Sequence, residues 1–171
     1  MQRKLYSSLL EWKRSDDRKP LILEGARQVG KTYLLKEFGR NEYDNLVYIN
    51  CHDNSEIKSI FEQDLDVNRI IQSFEAYTGK RIIEERTLLF IDEIQEAPHA
   101  VESLKYFCEK ARGQHVVVAG SLLGVINRPG ESYPVGKVNI MRLYPMTFEE
   151  FLLAKGMDKM VEALEQCDWD L

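Results

Sequence analysis

Eight consecutive residues carry the most specific chemistry in this 171-residue chain: Gly25-Ala26-Arg27-Gln28-Val29-Gly30-Lys31-Thr32, a G-x-x-x-x-G-K-[ST] pattern. Glycines let a loop turn tightly enough for its backbone N–H groups to surround phosphate oxygens, and a helix starting at its end adds a favourable dipole. Lys31 brings a point charge to the β and γ phosphates, and Thr32 offers a hydroxyl ligand to Mg2+. At average residue usage, a chain of this length carries the pattern by chance in about half a per cent of cases. Candidate nucleotide contacts run from Gly25 through Tyr33.

Two further sites fall at the ends of apolar runs. Leu88-Leu89-Phe90-Ile91 stops at Asp92 and Glu93. There Asp92 can hold Mg2+, partly through its water shell, and Glu93 can polarise a water attacking the γ-phosphate. Val116-Val117-Val118-Ala119 stops at Gly120 and Ser121. The Ser121 hydroxyl is a candidate sensor of the γ-phosphate, the alternative being a simple cap on the following turn. In open α/β sheets ligands bind outside the carboxyl ends of the strands, which is where all three features lie.

The elements that must position these residues follow from periodicity. Leu5, Leu9 and Trp12 recur at helical spacing and predict a helix that stops before Arg14. Pro20 precedes a strand at 21–23, and the helix opened by Lys31 is expected to close at Gly39. A second strand is expected at 46–49, then helices at 55–63 and 67–77, the latter capped by Asp66 and stopped by Gly79. The run at 87–91 reads as a strand buried on both faces, and a helix follows from about 99 to 112 with Gly113 as its stop. A buried strand at 116–119 and an alternating, edge-like strand at 138–143 flank a loop containing Asn127-Arg128-Pro129-Gly130. Thr147 to Glu150 form a capping-box pattern for a helix stopped by Gly156, and a last amphipathic segment spans 157–166. Alternating strands and helices make the class α/β with a mainly parallel sheet.

Composition narrows the function classes. With 23 Lys plus Arg against 28 Asp plus Glu the net charge is −5, unlike a nonspecific nucleic-acid coat. Cys51, Cys108 and Cys167 form no CxxC and no disulfide framework, and the adjacent Cys51 and His52 lack a second ligand pair for a structural metal. No apolar run reaches ~18 residues and the N-terminus lacks a signal-peptide pattern, so a soluble cytoplasmic protein with no membrane partner is expected. Basic pairs such as Lys13-Arg14 and Lys80-Arg81 are dispersed, and Lys105-Tyr106-Phe107 is either a base-stacking cluster or, more ordinarily, a buried pair of rings.

These motifs resemble the P-loop ATPases of the AAA+ type, with Walker A at 25–32, Walker B at 88–93 and a sensor-like Ser121. The wording Gly-Ala-Arg-Gln-Val-Gly-Lys-Thr, Phe-Ile-Asp-Glu-Ile-Gln, Ser-Leu-Lys-Tyr-Phe, Ala-Gly-Ser-Leu-Leu-Gly and Leu-Tyr-Pro-Met-Thr-Phe-Glu-Glu-Phe-Leu is similar to the prokaryotic AAA_14 family, usually followed by a DUF4143 domain, over about residues 3–156. The resemblance implies a P-loop NTPase three-layer sandwich with five strands in the order 5-1-4-3-2. It also implies ATP and Mg2+ as cofactors, a homo-oligomer sharing the nucleotide site, and a DNA or protein partner engaged through the C-terminal region. Residues 1–146 are then the ATPase core with its N-terminal helix, and 147–171 the helical start of a lid or C-terminal region, as in a fragment or truncated gene. No lid arginine or arginine finger is assignable; Arg128 and Arg142 are candidates, a solvated or salt-bridged arginine being the commoner case. Arg27, Gln28 and Gln95 match the family wording without an assigned role.

The expected activity is Mg2+-dependent ATP hydrolysis driving a conformational switch in a larger protein or assembly, the alternative being a non-hydrolysing ATP-binding regulatory module. A small-molecule kinase is disfavoured because Glu93 beside Asp92 suits a water nucleophile, and a GTPase because no Asn-Lys-x-Asp occurs.

Overall fold

Strand parity decides which helices cover which face of the sheet. The computed structural model describes residues 3–120 and 134–166. Its elements are α1 (Leu5–Arg14), β1 (Leu21–Glu24), α2 (Lys31–Glu42), β2 (Asn45–Asn50), α3 (Ser55–Gln63), α4 (Val67–Thr78), β3 (Thr87–Asp92), a 3-10 turn (Ile94–Glu96), α5 (Ala100–Lys110), β4 (His115–Gly120), β5 (Asn139–Arg142), α6 (Phe148–Ala154) and α7 (Asp158–Gln166). The strands form one sheet in the order β2-β3-β4-β1-β5, every neighbouring pair parallel. This is the expected order 5-1-4-3-2 counted from the other edge.

Successive strand residues point to opposite faces. Leu21, Leu23, Leu88, Phe90, Val117 and Ala119 therefore pack with Leu9 and Trp12 of α1 and with Leu34, Leu35 and Phe38 of α2. Their neighbours Ile22, Leu89, Ile91, Val116 and Val118 pack with α3, α4 and α5 through Phe61, Phe74 and Phe107. The result is a three-layer α/β/α sandwich. β1, β3 and β4 are buried along their whole length, as their continuous apolar runs predict, and the edge strand β5 alternates.

The helix caps are mostly as read. Asp66 accepts from the Arg69 N–H, Gly79 ends α4 at φ 68°, and Thr147 and Glu150 make the capping box of α6. Two stops differ. α2 runs through Gly39 to Glu42, because Gly39 is a packing residue: a Cβ there would lie 2.7 Å from Leu46 Cδ1 and 3.1 Å from Leu88 Cδ2. α5 ends at Lys110 with Ala111 as its cap, ahead of Gly113. α1 extends through Arg14, and the 3-10 turn after β3 was not anticipated. Among the described residues, no helix is long and apolar enough to cross a membrane.

Candidate functional site

The loop between β1 and α2 is shaped by backbone constraints that its residue types meet. The Leu143 N–H donates to the Glu24 carbonyl at 2.8 Å, bringing the end of β5 against the start of the loop. A Cβ on Gly25 would lie 2.3 Å from the Leu143 carbonyl oxygen, so only glycine fits. Gln28 and Gly30 hold φ of 64° and 96°, the second of these turning the chain into α2. No side chain caps α2, so its first-turn N–H groups are left for an anion. Lys31 folds back over the loop and its ammonium donates to the Gly25 and Ala26 carbonyls, both at 2.8 Å. Burial lowers the Lys31 pKa, partly offset by the negative charges of Glu93 and Asp92.

Asp92, only 4% exposed, closes the other side. Its Oδ2 accepts from Thr32 Oγ1 at 2.8 Å and from the Tyr48 hydroxyl at 3.1 Å, and its Oδ1 from the Glu93 N–H at 3.0 Å. Burial and the adjoining Asp92 charge push the Tyr48 phenol up, which keeps it a donor, and the Lys36 ammonium lies 3.5 Å from the centre of its ring. Glu93 takes a left-handed conformation, φ 50° and ψ 42°, strain of the kind that concentrates at functional sites. The Gln95 amide donates to Glu93 Oε2 at 2.5 Å. A cleft of about 680 Å3 runs between the loop and these acids. Hydroxyl and carboxylate oxygens side by side are the hard donor set that Mg2+ prefers, and the loop fits a phosphate chain.

An AAA domain family, AAA_14, has a model that matches residues 17–152, well over half of the chain. The chain belongs to this family. It is a nucleotide-binding domain of the ATPase type. Among solved structures, the Aeropyrum pernix Orc1 protein in complex with DNA is similar at 15% identity and a TM-score of 0.49, over 91% of this chain. The chain spans 48% of the length of that Orc1 chain. No curated protein matches.

The AAA_14 domain thus gathers Lys31, Thr32, Asp92 and Glu93 around one cleft whose lining also includes Arg27, Gln28, Gly30 and Tyr33. Ala26, Arg27 and Gln28 are exposed, and Tyr33 is 56% exposed beside the phosphate loop. Ser121 and Arg128 lie outside the described residues. Arg142 pairs with the buried Glu24 at 3.3 Å, beside the loop's first residue. Phe107 is in the core and Tyr106 packs against it, so the Lys105-Tyr106-Phe107 cluster offers no pair of free rings. Cys51 is buried and its thiol is pushed up to about 12, first by burial and then by the Asp92 charge, whereas His52 is exposed beside Asp53. Sequence reasoning missed Tyr48 as a partner of Asp92. Parity puts Tyr48 on the α2 face, but the register that brings β2 alongside β3 is a tertiary fact.

Proposed function

We propose that this domain binds ATP with Mg2+ and hydrolyses the β–γ phosphoanhydride. The observation that carries this function is the 2.8 Å bond between Thr32 and Asp92, which joins the phosphate loop to the acidic end of β3. Thr32 and Asp92 are the residues that would hold Mg2+, which would supply positive charge to offset that of the phosphates. Loop N–H groups and the α2 N-terminus cradle the phosphates, and the Lys31 ammonium turns from the Gly25 and Ala26 carbonyls to the β and γ oxygens. Glu93 orients a water in line with the γ-phosphorus and takes its proton as the new P–O bond forms and the bond to ADP breaks. Tyr48 fixes the orientation of Asp92. Occupancy and its loss on hydrolysis drive a conformational switch in a larger protein or assembly. A neighbouring copy shares the nucleotide site, and the domain engages a DNA or protein partner.

The test is Mg2+-dependent phosphate release by the purified chain beside Lys31→Ala. Release and binding are both expected to be lost in the lysine variant; release that survives Lys31→Ala would remove the phosphate loop from the reaction.

One observation favours a second reading, a module that binds ATP without turning it over. The Gln95 amide donates to Glu93 Oε2 at 2.5 Å and competes with a water for that oxygen. Stoichiometric binding with no phosphate release would select this reading.

A further inference from the structure

Arg3 lies outside the nucleotide cleft, yet its guanidinium holds the loop that forms it. The side chain is buried, with 6% of the residue exposed. Nη1 donates to the Val29 carbonyl at 3.3 Å, Nη2 to the Tyr144 carbonyl at 2.6 Å, and Nε to Glu150 Oε1 at 3.2 Å. Glu150 is equally buried, and its carboxylate also accepts from the Lys4 N–H and from the Thr147 N–H, each at 3.0 Å. Burial opposes its charge, but those N–H groups and the Arg3 guanidinium outweigh it and hold the carboxyl below its usual range. A planar fork of donors can serve three acceptors in three directions; an ammonium is a single point charge and cannot reproduce that geometry.

A buried ion pair is ordinarily only part of the fold. The acceptors here say more. Val29 sits between Gln28 and Gly30, both at positive φ, so Arg3 grips the loop where its shape is set. The same loop is met at its other end by Leu143, whose carbonyl abuts Gly25. Leu143 and Tyr144 are consecutive and lead straight into the capping box of α6, whose Glu150 takes the third Arg3 bond. The phosphate loop is therefore held at both ends by the segment that carries α6.

We propose that Arg3 is a positioning residue that clamps the phosphate loop to α6, so that nucleotide occupancy of the loop and the placement of α6 are coupled through the Arg3–Glu150 pair. The coupling rests on the nucleotide reading of the loop given above, and it is reciprocal: whatever moves α6 changes nucleotide affinity by the same factor that nucleotide changes the placement of α6.

The experiment is amide hydrogen exchange of the full chain with and without saturating Mg2+ and ATP, with ATP affinity measured on the same samples, for the parent, Arg3→Lys and Glu150→Gln. Bound ATP is expected to slow exchange across residues 148–154 in the parent by about 3-fold or more, a protection that reports local opening. In Arg3→Lys that response disappears, while ATP still binds with a Kd raised about 5- to 10-fold, at the low end of coupling between sites. Glu150→Gln keeps the volume of the site and carries the same test should Arg3→Lys fail to fold. Protection of α6 that is absent in the parent, or equal in parent and variants, overturns the clamp while leaving ATP binding in place. A parent that binds no ATP overturns the nucleotide reading and the clamp with it.

Discussion

Thr32 Oγ1 donates a 2.8 Å hydrogen bond to Asp92 Oδ2, joining the first turn of α2 to the last residue of β3 across 60 positions of sequence. The bond places a hydroxyl and a carboxylate oxygen side by side at the carboxyl ends of two parallel strands, β1 and β3, with β4 between them. Parallel topology makes this meeting inevitable once the sheet order is set, because every strand's carboxyl end lies at the same edge. The Tyr48 hydroxyl adds the second bond to the same oxygen.

Tyr48→Phe removes that second bond without changing the packing of the ring. The half-saturating Mg2+ concentration for ATP turnover should rise about 10-fold, at the low end of effects seen when a group orienting a metal-binding carboxylate is lost. ATP binding measured without Mg2+ should be unchanged. A magnesium titration of both reactions checks this, and an unaltered Mg2+ requirement would limit Tyr48 to packing against Phe90.

Much of this arrangement is legible in the chain before folding. The loop pattern, the apolar run ending at Asp92 and Glu93, and the parity of the strands depend on local residue order and account for the layers, whereas the sheet order is what the family resemblance implies. Gly39 was misread for a physical reason: a glycine near a helix end has two uses, as a left-handed stop or as a gap for a neighbouring element. Only the proximity of Leu46 and Leu88 separates them. Tyr48 and Arg3 act through partners 44 and 147 positions away, and no local pattern marks such pairs. Glu150 was read as half of a capping box, which it is, but its second oxygen serves Arg3 and Lys4.

Gly39→Val tests the packing role. The added side chain meets Leu46 and Leu88 at the contact between α2 and the sheet, and overpacking of this kind costs about 1–3 kcal/mol. The urea midpoint should fall with the slope unchanged. A midpoint equal to the parent's would show that the leucines move aside freely.

Acid should weaken the opposite end of the molecule. His115 is 4% exposed at the start of β4, its Nδ1 2.6 Å from the Tyr43 hydroxyl and its ring edge-on to Trp12, with Nε2 buried and unpartnered. Burial first, then the positive charges of Arg18 and Lys13, lower its pKa to about 4 from 6.5. The unfolded chain therefore binds a proton between these values that the folded chain refuses, so stability is complete above about pH 6.5 and declines toward pH 4. Between pH 7 and pH 5 the loss is about 1–2 kcal/mol after allowance for screening, or ~2–8 °C in Tm for a chain of this size. His115→Gln should flatten the Tm–pH curve in that window; an equally steep curve would place the acid sensitivity in other groups.

The central claim is that Glu93 activates water on a nucleotide held by Lys31 and Thr32, and Glu93→Gln separates binding from chemistry most directly. Single-turnover phosphate release and ATP affinity would be measured on the parent and the variant at saturating Mg2+. The variant should bind ATP within about 3-fold of the parent and release phosphate at least ~100-fold more slowly, the scale of a lost general base. Phosphate release from Glu93→Gln at the parent's rate would contradict the account.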